Sequence, residues 1–524
     1  MARLSFKADS RFFRFITIGA VGARAVYQDL NSRNHMMVEL ENGSTDTKIW
    51  KDVKRKRVRI PDLVCTRCGL RIESRAKTNP DLSMSHSITD AERAWDFGMV
   101  DNDVIAFPTC KPAEEIHWST GRLQGHQSYW HNRERVRWEI HGHINYFRVG
   151  DFRQVLHSRS STKGVTEATE TSIAWDAIFS TRNGIVEAIR GGRISVRRAS
   201  NGHFYTWQNR KGLPVVVREG DTIEVGQVLA CSVLPLANNA LRCPGSLLPD
   251  HIPSLLASPE RTQRFTGVKL ARLRAEQQLA PLVKKIALHP EEDIYVVLEG
   301  AIYLVKVRGE SAQSLLGSYL ATSDEQIRLE AVVALAESAT AEAVDMLAGI
   351  LDRSDAPFFL RSAAAWALGR IGTDRAIDRL VQAFSDVDHN IREEALEIVS
   401  SLGDPALDRL IAGLIDEDQD VAAGSAELLR RQVLIPPDAV QRIIGEVKAD
   451  VRRVWAVWLL GHLPHEREYV ASAIAELQDS NPEVHYAITV LWAFIESWIA
   501  QHWELYPTAC LPFARNERKS ERTV

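Results

Sequence analysis

No stretch of about 18 consecutive apolar residues occurs in the sequence, so no membrane-spanning helix is expected. Cysteine is scarce: six in 524 residues, too few for a disulfide-stapled secreted scaffold. The N-terminal stretch MARLSFKADSRFFRFITIGAVGARAV starts basic. Charges interrupt its apolar part and no small-residue cleavage pattern follows, so a secretory leader is not expected. A reducing bacterial cytoplasm is the expected compartment. Low-complexity bias is missing too: 45% hydrophobic and 25% charged residues exclude a disordered or fibrous chain.

What is present is length, charge asymmetry and repetition. At about 100–200 residues per domain, 524 residues imply three or four domains. The net charge is only −4, but ten Lys/Arg stand against three acids between Lys51 and Lys77. From Leu320 to Gln432 the balance reverses, with twenty-two acids against ten bases. The front of the chain suits phosphates, and the back repels them. Aligned on Arg328, Arg361, Arg392, Ala422, Arg452 and His485, the back of the chain repeats at spacings of 33, 31, 30, 30 and 33 residues. Apolar or small residues fall at helical spacing within each unit, such as Ala331, Ala334 and Leu335. Acidic or Gly/Pro turns such as IGTDRA and LGDPALD separate them. Helix pairs of this kind bury a continuous core only by stacking. The pattern resembles HEAT repeats of the short bacterial type, including the subfamily of tetrapyrrole-attaching lyases, and implies a protein-binding surface.

Residues 178–235 carry short β-branched runs broken by glycine turns. The ending VREGDTIEVGQVLA resembles barrel-sandwich hybrid domains of biotinyl and lipoyl carriers and related metallopeptidases. A carrier presents its modified lysine between methionines, and Lys211 in NRKG has no such flanks. The peptidase relatives need His-x-His where this chain has Phe204-Tyr205-Thr206-Trp207. A β-rich spacer or docking platform is expected.

The informative chemistry lies in the first 110 residues. The residue pattern implies a helix at Phe12–Asn31 and strands at His35–Leu40, Arg57–Cys65 and Leu70–Lys77. A helix around Thr89–Phe97 and a strand at Asp103–Pro108 follow. Pro61-Asp62 is followed by Glu73-Ser74-Arg75-Ala76-Lys77. With a hairpin turn at Arg67-Cys68, Asp62 lies opposite Glu73, and facing Cβ atoms are about 4.5–5.5 Å apart. Two carboxylates that close can share a divalent cation. Glu73, Arg75 and Lys77 alternate onto one strand face. The order α-β-β-β-α-β and these motifs resemble the PD-(D/E)xK, or restriction-endonuclease-like, nuclease superfamily. That resemblance implies Mg or Mn held by Asp62 and Glu73, with a cation beside them. The lysine of the motif would fall at position 75, which is Arg75 here. Arginine cannot relay a proton, so Lys77, one pleat on, is expected to help activate water while Arg75 positions the phosphate. Lys54, Lys56, Arg57 and Arg59 are the expected backbone contacts to DNA or RNA. Asp29, Glu39 and Glu41 are candidates for a further acid.

Cys65-Thr66-Arg67-Cys68-Gly69 resembles a zinc knuckle, which needs a second pair of ligands. No second CxxC exists, and Cys110, His86 or His117 would have to supply them. The alternative is a pair of buried or redox-sensitive thiols. His141-Gly142-His143 reads as structural.

The expected architecture is multidomain. It comprises an α/β restriction-endonuclease-like domain (1–150), a β-rich barrel-sandwich-like module (151–240), a helical connector (241–309), a C-terminal α-solenoid of HEAT repeats (310–505) and a charged tail (506–524). The expected function is a metal-dependent nuclease, a genome-defence effector regulated by a partner protein through its repeats. The rival is a non-enzymatic HEAT scaffold with a degenerate nuclease fold that grips DNA or protein.

Overall fold

The computed structural model describes residues 10–40, 60–87, 90–113, 138–161, 170–198, 200–247, 250–432, 435–449 and 453–462. It divides into two compact units, Met1–Gly309 and Glu310–Val524. No helix among the described residues is long and apolar enough to cross a membrane.

The first unit opens with helix α1 (Ser10–Ser32). Strands β1 (Met37–Glu39), β2 (Leu63–Cys65), β3 (Arg71–Ser74), β4 (Leu82–Ser87), β5 (Val104–Phe107), β6 (Cys110–Pro112), β7 (Trp138–Ile140) and β8 (Asn145–Arg148) follow. The central sheet has the order β1-β2-β3-β5-β8. It is mixed: β1, β2 and β3 form an antiparallel meander, β3 runs parallel to β5, and β8 returns antiparallel. A parallel pair needs a crossover, and here residues 75–103 supply it.

Alternation along the strands sends Leu63, Ile72, Val104 and Ala106 to one face, where they meet Val26 and Leu30 of α1. Ile18, Gly22, Val26 and Leu30 recur every four residues, one stripe of a helix. Gly22 marks a close approach, since a Cβ there would stand 2.5 Å from Ala76 Cβ. The opposite face carries Ile105, Phe107 and Phe147, packed with Phe152, Trp95 and Trp175. That second core is closed by another sheet, β4-β10-β9, which includes β9 (Ser158–Ser161) and β10 (Glu170–Trp175).

The expected helix at 89–97 is a correction. Only a 3-10 turn forms, Ala91–Arg93, with the Asp90 carboxylate accepting from the Glu92 N–H. Trp95 then drops into the aromatic core, and Gly98 at φ +75° turns the chain away. The competing signal was hydrophobic burial, which overrides local helix preference.

Further along, β11 (Ala177–Phe179) pairs with β16 (Val228–Cys231). A four-stranded antiparallel sheet is built from β12 (Gly184–Arg190), β13 (Arg193–Arg198), β14 (Phe204–Gln208) and β15 (Thr222–Ile223). Helices α2 (His251–Leu256), α3 (Arg261–Leu273), α4 (Ala280–Ala287) and α5 (Ile294–Arg308) complete the unit. Helix α3 docks on the central sheet through polar contacts: Arg71 Nη1 donates to Thr266 Oγ1 (3.2 Å) and Lys269 Nζ to Leu40 O (3.0 Å).

The second unit is all helical among its described residues. Helices α6 (Glu325–Ser338), α7 (Phe358–Ile371), α8 (His389–Leu402), α9 (Gln419–Arg431) and α10 (Val454–His462) carry the repeated apolar segments. The repeat aligned on His485 lies outside the described residues. Part of the local acid excess caps helices. Asp324, Asp388 and Asp418 sit before α6, α8 and α9, and each accepts backbone N–H bonds of the first turn. Arg361, in α7, is buried; its Nε donates to Leu351 O (2.7 Å) and its guanidinium pairs with Asp386. Between the alternate helices runs a chain of ion pairs: Asp345–Arg375, then Asp374 and Asp378 with Arg409, then Asp408–Arg442.

Candidate functional site

The hairpin of β2 and β3 carries two chemistries, one at its open end and one at its turn. Its register pairs Leu63 with Ile72 and Val64 with Arg71. Asp62 stands just before β2, and the same register extended by one step sets it opposite Glu73. Glu73 is level with Ile105 of β5, so it lies on the sheet face turned away from α1. Ser74 N–H donates to Asp62 Oδ2 (2.8 Å), which fixes that carboxylate against the strand. Arg75 Nη2 stands 3.1 Å from Glu73 Oε1. Arg75 Nε and Ser74 Oγ are buried with no hydrogen-bond partner among the described residues.

Lys77 goes elsewhere. Regular pairing of β3 ends at Ser74, and Lys77 makes a lone bridge to Thr109. Its ammonium donates to Ser83 O (2.6 Å) and Ser83 Oγ (3.0 Å) and pairs with Asp81 (3.2 Å). The expectation that Lys77 reaches back to the acids is therefore corrected. An aspartate four residues on and a carbonyl at the next strand hold it, and Arg75 is the cation beside Glu73. Asp29 is engaged on α1, receiving Tyr146 OH (2.6 Å) and pairing with Arg33 (3.0 Å), and is no third acid. Lys54, Lys56, Arg57, Arg59 and Glu41 lie outside the described residues.

At the turn, Gly69 takes φ +76° and its N–H donates to Cys65 O (2.8 Å), closing the knuckle. Two of the partners expected for Cys65 and Cys68, Cys110 and His86, do not come to them. Cys110 turns to Ile18 O, His86 accepts from Trp95 N–H, and His117 lies outside the described residues. His35 and Cys243 stand there instead. The ligand atoms of His35, Cys65, Cys68 and Cys243 all lie within 4.8 Å of one another. Cys68 Sγ is 3.6 Å from His35 Nδ1, and Cys65 Sγ is 4.0 Å from Cys243 Sγ. The Cys68 thiol shares its proton with Cys65, and His35 and the Met36 N–H add to this, which together draw the Cys65 thiol down to about 3. The same sharing, reinforced by burial, pushes Cys68 up. His35 had a signal, being next to an expected strand edge; Cys243 had none beyond the presence of an unassigned cysteine. His141 and His143 form no such group, and His143 Nδ1 instead lies 3.4 Å from Glu224.

The HEAT-repeat family matches residues 353–430, and the C-terminal region is built of HEAT repeats. A curated relative is the phycocyanobilin lyase subunit alpha of Picosynechococcus sp., 31% identical over 141 residues, which are 26% of this chain and 50% of that protein. The chain thus spans about half the length of that relative. Among solved structures, an engineered protein is 20% identical over 46% of this chain and 70% of its own, with a TM-score of 0.25. Human deoxyhypusine hydroxylase is 16% identical over 46% of this chain and 87% of its own, with a TM-score of 0.17. Scores this low carry no argument.

Proposed function

We propose that the first unit is a divalent-metal-dependent nuclease of restriction-endonuclease-like fold, and that the HEAT repeats bind a protein partner that restrains or directs it. What supports this reading is a mixed sheet whose β2–β3 register, extended by one residue, sets Asp62 opposite Glu73, with Ser74 N–H donating to Asp62 and Arg75, in the slot of the motif's lysine, paired with Glu73. Mg²⁺ and Mn²⁺ take one or two carboxylates and fill their remaining positions with water and phosphate oxygens. Two carboxylates at this end of the hairpin are the donor type and number such an ion takes from a protein. The buried Nε of Arg75 fits an anionic ligand beside it.

The bound ion would polarise a water for attack and neutralise charge developing on the phosphate. Asp62 and Glu73 hold it, and the Ser74 N–H orients Asp62. Arg75 grips two phosphate oxygens with its planar fork and exchanges no proton. Lys77 braces the strand end. Lys54, Lys56, Arg57 and Arg59 provide sequence-independent backbone contacts. The β-rich segment serves as a spacer without chemistry, its Lys211 held 2.5 Å from Asp176.

The test is degradation of plasmid DNA and of single-stranded RNA by the full chain with Mg²⁺ or Mn²⁺. Cleavage by the wild type, lost in Asp62→Ala and retained or raised in Arg75→Lys, supports the assignment. Nucleic-acid binding without cleavage by any of the three favours the second reading, a scaffold whose front unit only grips. What supports that reading is the Arg75–Glu73 ion pair, which occupies the motif's lysine slot. A bilin-attaching role like that of the cyanobacterial relative rests on the resemblance of 141 residues alone.

A further inference from the structure

We infer that His35, Cys65, Cys68 and Cys243 form a structural zinc site that staples the first unit. In a tetrahedral site with Zn–S near 2.3 Å and Zn–N near 2.0–2.1 Å, neighbouring ligand atoms stand about 3.5–3.8 Å apart. The Cys68–His35 separation of 3.6 Å falls in that range, and the Cys65–Cys243 separation of 4.0 Å is just above it. The four ligand atoms lie within 4.8 Å of each other, a cage for one ion rather than for a cluster.

The surroundings fit a metal better than they fit idle thiols. The carbonyl of Leu241 can only accept, so the His35 Nε2 facing it at 3.0 Å carries the proton. That leaves the lone pair on Nδ1, the nitrogen turned to Cys68. A backbone carbonyl fixing the tautomer of a ligating histidine is the usual outer support of such a site. Met36 N–H lies 3.4 Å from Cys65 Sγ, a donor for a thiolate. The knuckle is also packed from below, since a Cβ on Gly69 would meet His251 Nε2 at 2.3 Å. Cys65, Cys68 and Cys243 are free thiols, and 4.0 Å is twice a disulfide bond, so oxidation does not account for the grouping.

The ligands come from three distant parts of the chain. His35 precedes β1, Cys65 and Cys68 bracket the β2–β3 turn, and Cys243 lies beyond β16. Closing so long a loop with one ion restricts the unfolded chain strongly. It also fixes the turn whose position sets the Asp62–Glu73 register.

The measurement is elemental analysis of the full chain purified under reducing conditions without chelator. One zinc per chain is expected, released stoichiometrically by a mercurial and detected by a colorimetric chelator. Cys243→Ser should lower the zinc content by about tenfold or more, whereas Cys110→Ser and Cys231→Ser should leave it unchanged. Cobalt exchanged into the wild type provides a readout should Cys243→Ser fail to fold: thiolate-to-cobalt charge transfer with tetrahedral d–d bands is expected. A wild-type chain with less than half an equivalent of zinc overturns the inference. So does a Cys243→Ser chain that keeps a full equivalent, or an exchanged cobalt spectrum without thiolate bands.

Discussion

In the first unit Arg71 meets Asp103 across 32 residues, and Lys269 reaches the Leu40 carbonyl across 229. In the second, Arg361 bonds the Leu351 carbonyl ten residues back and Asp386 twenty-five ahead. Both sets are buried cation contacts, but those of the first unit reach as far as 229 residues along the chain and those of Arg361 no further than 25. Where contacts are long, a single loss loosens strands that are neighbours only in space. Where they stay within adjoining repeats, stability is close to a sum of repeat and interface contributions, and damage stays local.

Ablating the longer-range network has the largest expected effect. Arg71→Met leaves the buried Asp103 carboxylate without its cation, which costs about 3–5 kcal/mol. Replacing both members by apolar residues should recover most of it. Hydrogen exchange should rise across β3, β5 and α3 together; a rise confined to β3 breaks the contrast. Arg361→Ala comes next, at about 2–3 kcal/mol, because the Leu351 carbonyl and Asp386 lose a charged donor. Exchange should increase only in α7 and the helices touching it, and spreading through the whole second unit would show that the repeats are not independent. Asp418→Ala removes the cap of α9 and should cost about 1 kcal/mol, read as earlier loss of helicity in a urea titration.

A pH effect follows in size. Burial pushes the Glu394 carboxyl up from its ordinary value of 4.5, against the pull of the Ser362 hydroxyl. Its folded pKa lies above its unfolded one, so its contribution to stability is complete below about pH 4.5 and is lost as pH rises through the folded value. Glu394→Gln should therefore raise the melting midpoint at pH 7–8 and leave it unchanged at pH 4. A gain at pH 4 as large as at pH 8 would refute the titration. Smallest is Arg442→Ala, since exposed pairs such as Arg442–Asp408 are worth about 0–1 kcal/mol; thermal melts should barely move.

The solenoid was legible because its period is written in local contacts: Ala331, Ala334 and Leu335 of α6 are buried where their spacing puts them. The β2–β3 register was legible for a related reason. A short hairpin has one turn, and placing it at Arg67-Cys68 fixes every facing pair, including Leu63–Ile72 and Val64–Arg71. What escaped was decided either by a competing partner nearby or by a distant segment. Lys77 has the right alternation for the site, yet Asp81 and Ser83 take its ammonium. Trp95 sits in a helix-like sequence, but its indole is worth more in the core with Phe152 and Trp175. Cys243 is separated by 178 residues from Cys65, and no spacing rule spans that gap.

The chain of aspartate–arginine pairs in the second unit has a consequence for editing the protein. Each arginine reaches back to an aspartate of the helix one repeat earlier, so the pairs index the array. Arg409 holds in its repeat the position Arg375 holds in the one before, and Asp374 stands to Arg409 as Asp408 stands to Arg442. Excising residues 375–408 would bring Arg409 into the place of Arg375, opposite Asp345, and leave Asp374 where Asp408 had been, opposite Arg442. The array would close over the deletion with every remaining rung matched, so its length can change by whole repeats while its charge pattern stays in step.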